Sequence, residues 1–144
     1  MNPQKWGDGL ENYNFRVILL ALHRQSTTRY IILKSAKKKR YTELLRVTEF
    51  VQSQSGEVQQ EYADIVDELE RNGRLSMPTG EKVDSTLFAI RIIQAGNVRV
   101  FYVYGRENNV YGLHGYVKKT QQIPPKEKKL AEKLAKLLRK EGLL

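Results

Sequence analysis

Two runs rich in β-branched and aromatic residues, Thr86 to Ile93 and Val98 to Tyr104, flank the short connection Gln94-Ala95-Gly96. That length suits a three-residue hairpin with Gly96 in the left-handed position. The turn sets the register, and register decides which side chains share a face. Here Phe88, Ile90, Ile92, Val98, Val100 and Tyr102 fall on one apolar face, while Arg91 stands opposite Arg99 on the other. A slip of one residue would send Arg99 to the core side, where an unpaired charge is costly. Gly105 to Asn109 reads as a polar turn and Val110 to Val117 as a third strand.

Upstream, Leu44 to Val51 is rich in β-branched and aromatic residues and is predicted to be the first strand of the main domain. Ser55 is placed to cap a helix, with Glu57 in its first turn. Val58, Tyr62, Ile65, Val66 and Leu69 form its apolar stripe, and Asn72-Gly73 its left-handed stop. The outside of this helix is acidic and shows no chemistry. Met77-Pro78-Thr79-Gly80 reads as a loop. At the other end Pro124-Pro125 suits a helix start, with Leu130, Leu134, Leu137 and Leu138 as the buried stripe and Gly142 as the stop. Lysines and Arg139 occupy its remaining faces. Strand, helix, three consecutive strands and helix make an α+β plan, an antiparallel sheet with flanking helices and a basic C-terminal helix.

Residues 1–43 differ in character from the rest and are read as an atypical N-terminal extension to a domain spanning 44–144. Phe15 to Leu22 is a short buried helix or a strand, since periodicity does not arbitrate in so short a run. Tyr30 to Leu33 is a candidate strand, and Lys37 to Arg40 a solvated basic linker. Two readings of the extension stay open: a segment that packs on the sheet, or a start codon assigned too far upstream. The longest apolar run, Val17 to Leu22, is far short of the roughly 20 residues of a spanning helix. Asp8 and Glu11 before it, and no small-residue cleavage site after it, argue against a signal peptide. A cytoplasmic protein is expected.

The net charge is +9 in 144 residues, which points to an anionic partner: nucleic acid, an acidic protein or an anionic membrane surface. There is no cysteine, which removes disulfides and thiolate metal sites, and two histidines, His23 and His114, are too few for an all-histidine zinc site.

The three strands bring Arg91, Arg99 and the strand end from His114 to Lys119 into one neighbourhood. RNA cleavage by a ribose 2′-hydroxyl needs a base for that hydroxyl, positive charge for the transition state and an acid for the leaving 5′-oxygen. The guanidinium fork suits the second task, and a histidine or a lysine of lowered pKa the proton transfers. With no carboxylate cage in the sequence, a metal-independent reaction without cofactor is expected. Arg91, Arg99, His114 and Lys119 are the catalytic candidates; Tyr116, Lys118, Lys126 and Lys129 are candidates for RNA contact. Bland readings stand beside these. An arginine pair on an exposed sheet face is usually ordinary surface, His114 between glycines is equally a structural hydrogen bonder, and Lys118-Lys119 a solvated strand end. Tyr102, Tyr104 and Tyr111 suit base stacking, though core packing fits Tyr102 better.

Leu87-Phe-Ala-Ile-Arg-Ile92, Val98-Arg-Val-Phe-Tyr102, Leu113-His-Gly-Tyr-Val-Lys-Lys-Thr120 and Pro124-Pro-Lys-Glu127 with Leu130-Ala131 together resemble the phage-derived HigB-like branch of the RelE/ParE toxins. The resemblance covers about Leu44 to Leu144 and rests on the order and spacing of several motifs. Tyr116 replaces the usual Phe, and Ile123 stands where a helix-capping Thr is common. The resemblance implies a RelE/ParE-like fold and cleavage of messenger RNA on the ribosome. It also implies neutralisation by a cognate antitoxin with a helix-turn-helix domain. By position, it gives Arg99 the scissile phosphate, Arg91 a basic position one strand earlier, Lys118 and Lys119 the basic strand end, and His114 the motif histidine. A ParE-like gyrase poison that hydrolyses nothing, and an inactive phage remnant that binds only its antitoxin, are the alternatives, because the fold is shared.

Overall fold

The computed structural model describes residues 15–18, 31–34 and 36–144. The chain divides into two compact units, Met1–Lys37 and Lys38–Leu144. In the first, β1 (Phe15–Ile18) pairs antiparallel with β2 (Ile31–Lys34), with Phe15 opposite Lys34 and Ile18 opposite Ile31. The expected Phe15 to Leu22 element is a strand as far as Ile18. Leu19 to Leu22, Tyr30, Asp8, Glu11 and His23 lie outside the described residues.

The second unit is α+β and consistent with a RelE-like fold. Its five-stranded sheet has the order β3-β7-β6-β5-β4: β3 is Arg40–Glu43, β4 Gly80–Lys82, β5 Phe88–Ile92, β6 Val98–Tyr104 and β7 Asn109–Val117. Three pairings are antiparallel; β3 runs parallel to β7, so the sheet is mixed. Helices α1 (Leu45–Gln52), α2 (Gly56–Asn72) and α3 (Pro125–Lys140) cover it.

The expected strand Leu44 to Val51 is instead α1. Its β-branched content favours a strand locally, but Val47 and Val51, one helical turn apart, are the pair that tertiary packing buries. Glycine on β7 makes that docking possible. A Cβ at Gly115 would lie 2.3 Å from Phe50 Cδ1, and one at Gly112 would lie 2.1 Å from the Tyr41 hydroxyl. The glycines beside His114 therefore belong to the face of β7 away from His114.

Helix α2 follows its sequence signals. The Ser55 side chain accepts a hydrogen bond from the Val58 N–H, Val58, Tyr62, Ile65 and Leu69 are buried, and Gly73 ends the helix at φ 77°. The polar turn after β6 places Glu107 and Asn108 at φ 55° and 62°, the paired left-handed residues of a type I′ hairpin. The β5–β6 turn differs from expectation. Its register is as read, with Arg91 opposite Arg99 and Ile92 opposite Val98, but Gly96 does not adopt positive φ. The Glu61 carboxylate on α2 shapes the turn, accepting from the backbone N–H groups of Ile93, Gln94 and Ala95 at 3.0, 3.1 and 2.7 Å.

The sheet is buried on both faces. One packs Ile90, Ile92, Val98, Val100, Tyr102 and Val110 against α1 and α2, as the alternation required. The other packs Leu87, Ala89, Phe101, Val103, Leu113 and Tyr116 beneath Ala131, Leu134 and Leu138 of α3. In the expected α3 stripe, Leu137 departs, being 51% exposed. Gly142, at φ 78°, closes the chain after α3 as expected.

Candidate functional site

The face of Arg91 and Arg99 is thus the floor of a second core, and the arginines sit at its edge. A row crosses the strands there. Arg91 on β5 pairs with Arg99 on β6, and Arg99 with Tyr116 on β7. Arg99 is 4% exposed and Tyr116 5%. The expectation of an exposed arginine pair is corrected for Arg99: this face of the sheet packs against α3 where an open face was anticipated, and Asn97 and residues 118–121 lie around Arg99 itself.

Buried charge ordinarily comes with partners. Arg99 Nη1 donates to the Val98 carbonyl at 3.0 Å, but its Nε has no partner, and neither has the buried Tyr116 hydroxyl. Burial pulls the Arg99 guanidinium below its ordinary pKa, neighbouring Arg91 adds to this, and Glu81 and Tyr116 oppose it. Burial pushes the Tyr116 hydroxyl up to about 12, despite the downward pull of Arg99. Arg91 Nη1 donates to the Pro78 carbonyl at 3.0 Å; its Nε, like that of Arg99, is buried without a hydrogen-bond partner and lies 3.7 Å from the Glu81 carboxylate. Two guanidinium groups and a phenol thus carry buried donors without partners along one row, an arrangement whose chemistry suits an anion.

The opening lies at the strand ends. An open cavity of about 430 Å³ is lined by Asn97, Arg99, Lys118, Lys119, Thr120 and Gln121. Asn97 and Lys118 fix its rim: the Lys118 N–H donates to the Asn97 carbonyl, and Asn97 Nδ2 to the Lys118 carbonyl, both at 2.7 Å. The structure therefore gathers Arg91, Arg99, Tyr116, Lys118 and Lys119 at one end of the sheet.

His114 is placed differently. Its Nε2 is hydrogen-bonded to the Glu127 carboxylate in the first turn of α3. Its ring lies parallel to those of Phe101 and Tyr116, with centroids 6.5 and 6.4 Å away. It faces the second core, opposite Phe101, and does not line the cavity of Arg99. Lys126 and Lys129 stand exposed on α3. Lys129 lines a separate groove of about 570 Å³, with Lys133, Lys136 and Arg139 facing Ser85 and Thr86. The RNA-contact candidates are thus split between two surfaces.

Sequence reasoning missed two participants. Glu81 lies on β4, a three-residue strand that begins at the end of the Met77 to Gly80 segment read as a loop, and Glu127 pairs with His114 across a helix packing that strand patterns do not specify. Among the described residues, no three His, Asp or Glu side chains converge as a metal site, and no helix is long and apolar enough to cross a membrane.

A search of curated proteins gave no match. A profile of the family described as phage-derived protein Gp49-like (DUF891) matches residues 49–136. That span is more than half of the chain and includes Arg91, Arg99, Tyr116, Lys118, Lys119 and most of α3. The chain therefore belongs to the phage-derived Gp49-like family, a toxin-like family related to RelE and ParE.

Proposed function

We propose that this protein is the toxin of a type II toxin–antitoxin pair, an endoribonuclease of HigB type that cuts messenger RNA on the ribosome in the cytoplasm. The observation that carries this reading is the buried Arg99, which lines a lysine-rimmed cavity and pairs across strands with Tyr116, each of the two with an unused donor. In the proposed reaction the Arg99 and Arg91 guanidinium groups hold the scissile phosphodiester and stabilise the charge that builds on it. Tyr116 adds a hydrogen bond to the phosphate, Lys118 steers the backbone, and the Lys119 ammonium delivers the proton to the leaving 5′-oxygen. No cofactor enters the scheme. His114, bound to Glu127, keeps α3 seated over the site. Exposed lysines of α3, Lys126 and Lys129 among them, bind ribosomal RNA. A cognate antitoxin, of helix-turn-helix type, silences the toxin.

Induced expression in a bacterial host tests the reading. Growth arrest is expected, with loss of amino-acid incorporation preceding any DNA-damage response, and Arg99→Ala relieves it. Arrest led by DNA damage would instead indicate a gyrase poison. An Arg99→Ala protein as toxic as the wild type would remove Arg99 from the site.

A further inference from the structure

A carboxylate on the neighbouring strand shares the face of the arginines, one step along the strand from their row. Glu81 on β4 pairs with Ala89 on β5, which shares a face with Arg91, so Glu81 lies on the arginine face of the sheet. Its Oε2 is 3.7 Å from Arg91 Nε, and its side chain is 32% exposed. The other carboxylates of this region are engaged. Glu127 is bound to His114, and Asp84 accepts from the N–H groups of Thr86 and Leu87 at 2.9 and 2.8 Å. The Glu81 carboxylate accepts no hydrogen bond among the described residues, which leaves its lone pairs available.

The chemistry at this face lacks one partner. Guanidinium and ammonium groups bind phosphate and donate protons, but none of them accepts one in its charged form. The phenol of Tyr116 stays protonated at neutral pH, its pKa being about 12. His114 already shares Nε2 with Glu127. A solvent-reaching carboxylate, held at the arginine pair by charge and with free lone pairs, fills that vacancy. We propose that Glu81 is the general base of the cleavage reaction, which rests on the ribonuclease reading given above.

The Glu81 carboxylate takes the proton of the ribose 2′-hydroxyl, and the 2′-oxygen forms a bond to phosphorus. The bond from phosphorus to the 5′-oxygen breaks, and that oxygen receives a proton from the Lys119 ammonium. The fragments carry a 2′,3′-cyclic phosphate and a 5′-hydroxyl. Glu81 then returns its proton to solvent, from which Lys119 recovers one.

Single-turnover cleavage by the full chain on programmed ribosomes, followed across pH, tests this with Glu81→Gln and Glu81→Asp. Glu81→Gln should slow cleavage by about 10²–10⁴-fold, with ribosome binding and Tm retained, and should lose the acidic limb of the pH–rate profile. Glu81→Asp, which keeps the base on a shorter stem, should retain part of the rate and the limb. A Glu81→Gln rate equal to wild type would overturn the assignment, as would a slowed rate with the acidic limb in place, since Glu81 would then only hold Arg91. If Glu81→Gln fails to fold, a Glu81→Asp profile with the acidic limb lost would overturn it. Wild-type fragments ending in 3′-hydroxyl and 5′-phosphate would exclude attack by the 2′-oxygen. Wild type that cuts no message would overturn the ribonuclease reading itself, whereas wild-type cutting with an unimpaired Glu81→Gln overturns the base alone.

Discussion

Arg99 sits where folding alone would not place it. Its guanidinium is desolvated, faces a second guanidinium and leaves Nε without a partner. Replacing such a buried charge with an apolar side chain of similar volume is often neutral or stabilising. Arg99→Met is therefore expected to raise stability by about 1 kcal/mol, or roughly 4 °C in Tm, while abolishing toxicity. A thermal melt showing a fall of several degrees would make Arg99 a structural member of the core instead. At this scale the sequence was informative about identity and poor about environment. Strand alternation placed Arg91 opposite Arg99 and brought the strand end from His114 to Lys119 near them; the pairing of Tyr116 with Arg99 came from the structure. Alternation could not show that this face packs against α3 and is not open, because helix packing depends on contacts far apart in sequence. Leu137, apolar and correctly spaced yet exposed, shows the same limit. Glu81 was hidden because a three-residue strand carries too little pattern to be seen.

Among the elements, the β5–β6 turn and α1 show how tertiary contacts overrule local signals. The length of the Gln94–Gly96 connection gave the right register, but the turn is stabilised from α2 and not by a left-handed glycine. Burial alone would raise the Glu61 pKa, yet the N–H donors of Ala95, Gln94 and Ile93 together hold it below its ordinary value of 4.5. A carboxylate whose folded pKa is depressed contributes stability that is complete above its unfolded pKa and lost as pH falls through the folded one. Glu61→Gln should thus destabilise the domain by about 1–2 kcal/mol at neutral pH, after allowing for solvent screening. The difference should vanish below that window, where Glu61 is protonated in both states; urea midpoints measured at both pH values check this, and a pH-independent difference would contradict it. Helix α1 offers a second check. Gly115→Ala drives a methyl group into Phe50 and should cost about 1–3 kcal/mol by denaturant unfolding. Pairing it with Phe50→Leu should recover part of the loss; simple additivity of the two losses would mean the clash is relieved elsewhere. The strand reading of Leu44 to Val51 failed because a short β-branched run satisfies both periods, and only the glycine-lined face of β7 selects the helix.

At the scale of the whole molecule, the described residues carry positive charge in an arrangement suited to a polyanion. Lys126, Lys129, Lys133, Lys136 and Lys140 recur at three- and four-residue spacing and are all exposed, forming one stripe roughly 21 Å long on α3. None has a carboxylate within ion-pair distance among the described residues, while neighbouring Lys128 pairs with Asp84 and Glu132 at 3.8 and 3.7 Å. With no aromatic residue on α3, the stripe is fitted to phosphates and not to bases. Ribosome affinity should fall steeply with salt, and replacing Lys133 and Lys136 with Gln should reduce the log–log slope by about 1.5. An unchanged slope would remove the helix from the interface. The charge excess and the periodicity of α3 were legible in the sequence; the division between an α3 surface and a separate cavity at the strand ends was not, since both draw on the same residue type.

In the proposed function the Arg99 cavity cuts messenger RNA. Purified protein incubated with programmed ribosomes, with the message ends then mapped, tests it most directly. New ends are expected with wild type and none with folded Arg99→Met. Wild-type protein that binds ribosomes yet leaves the message intact, or an Arg99→Met protein that cuts equally well, would contradict it.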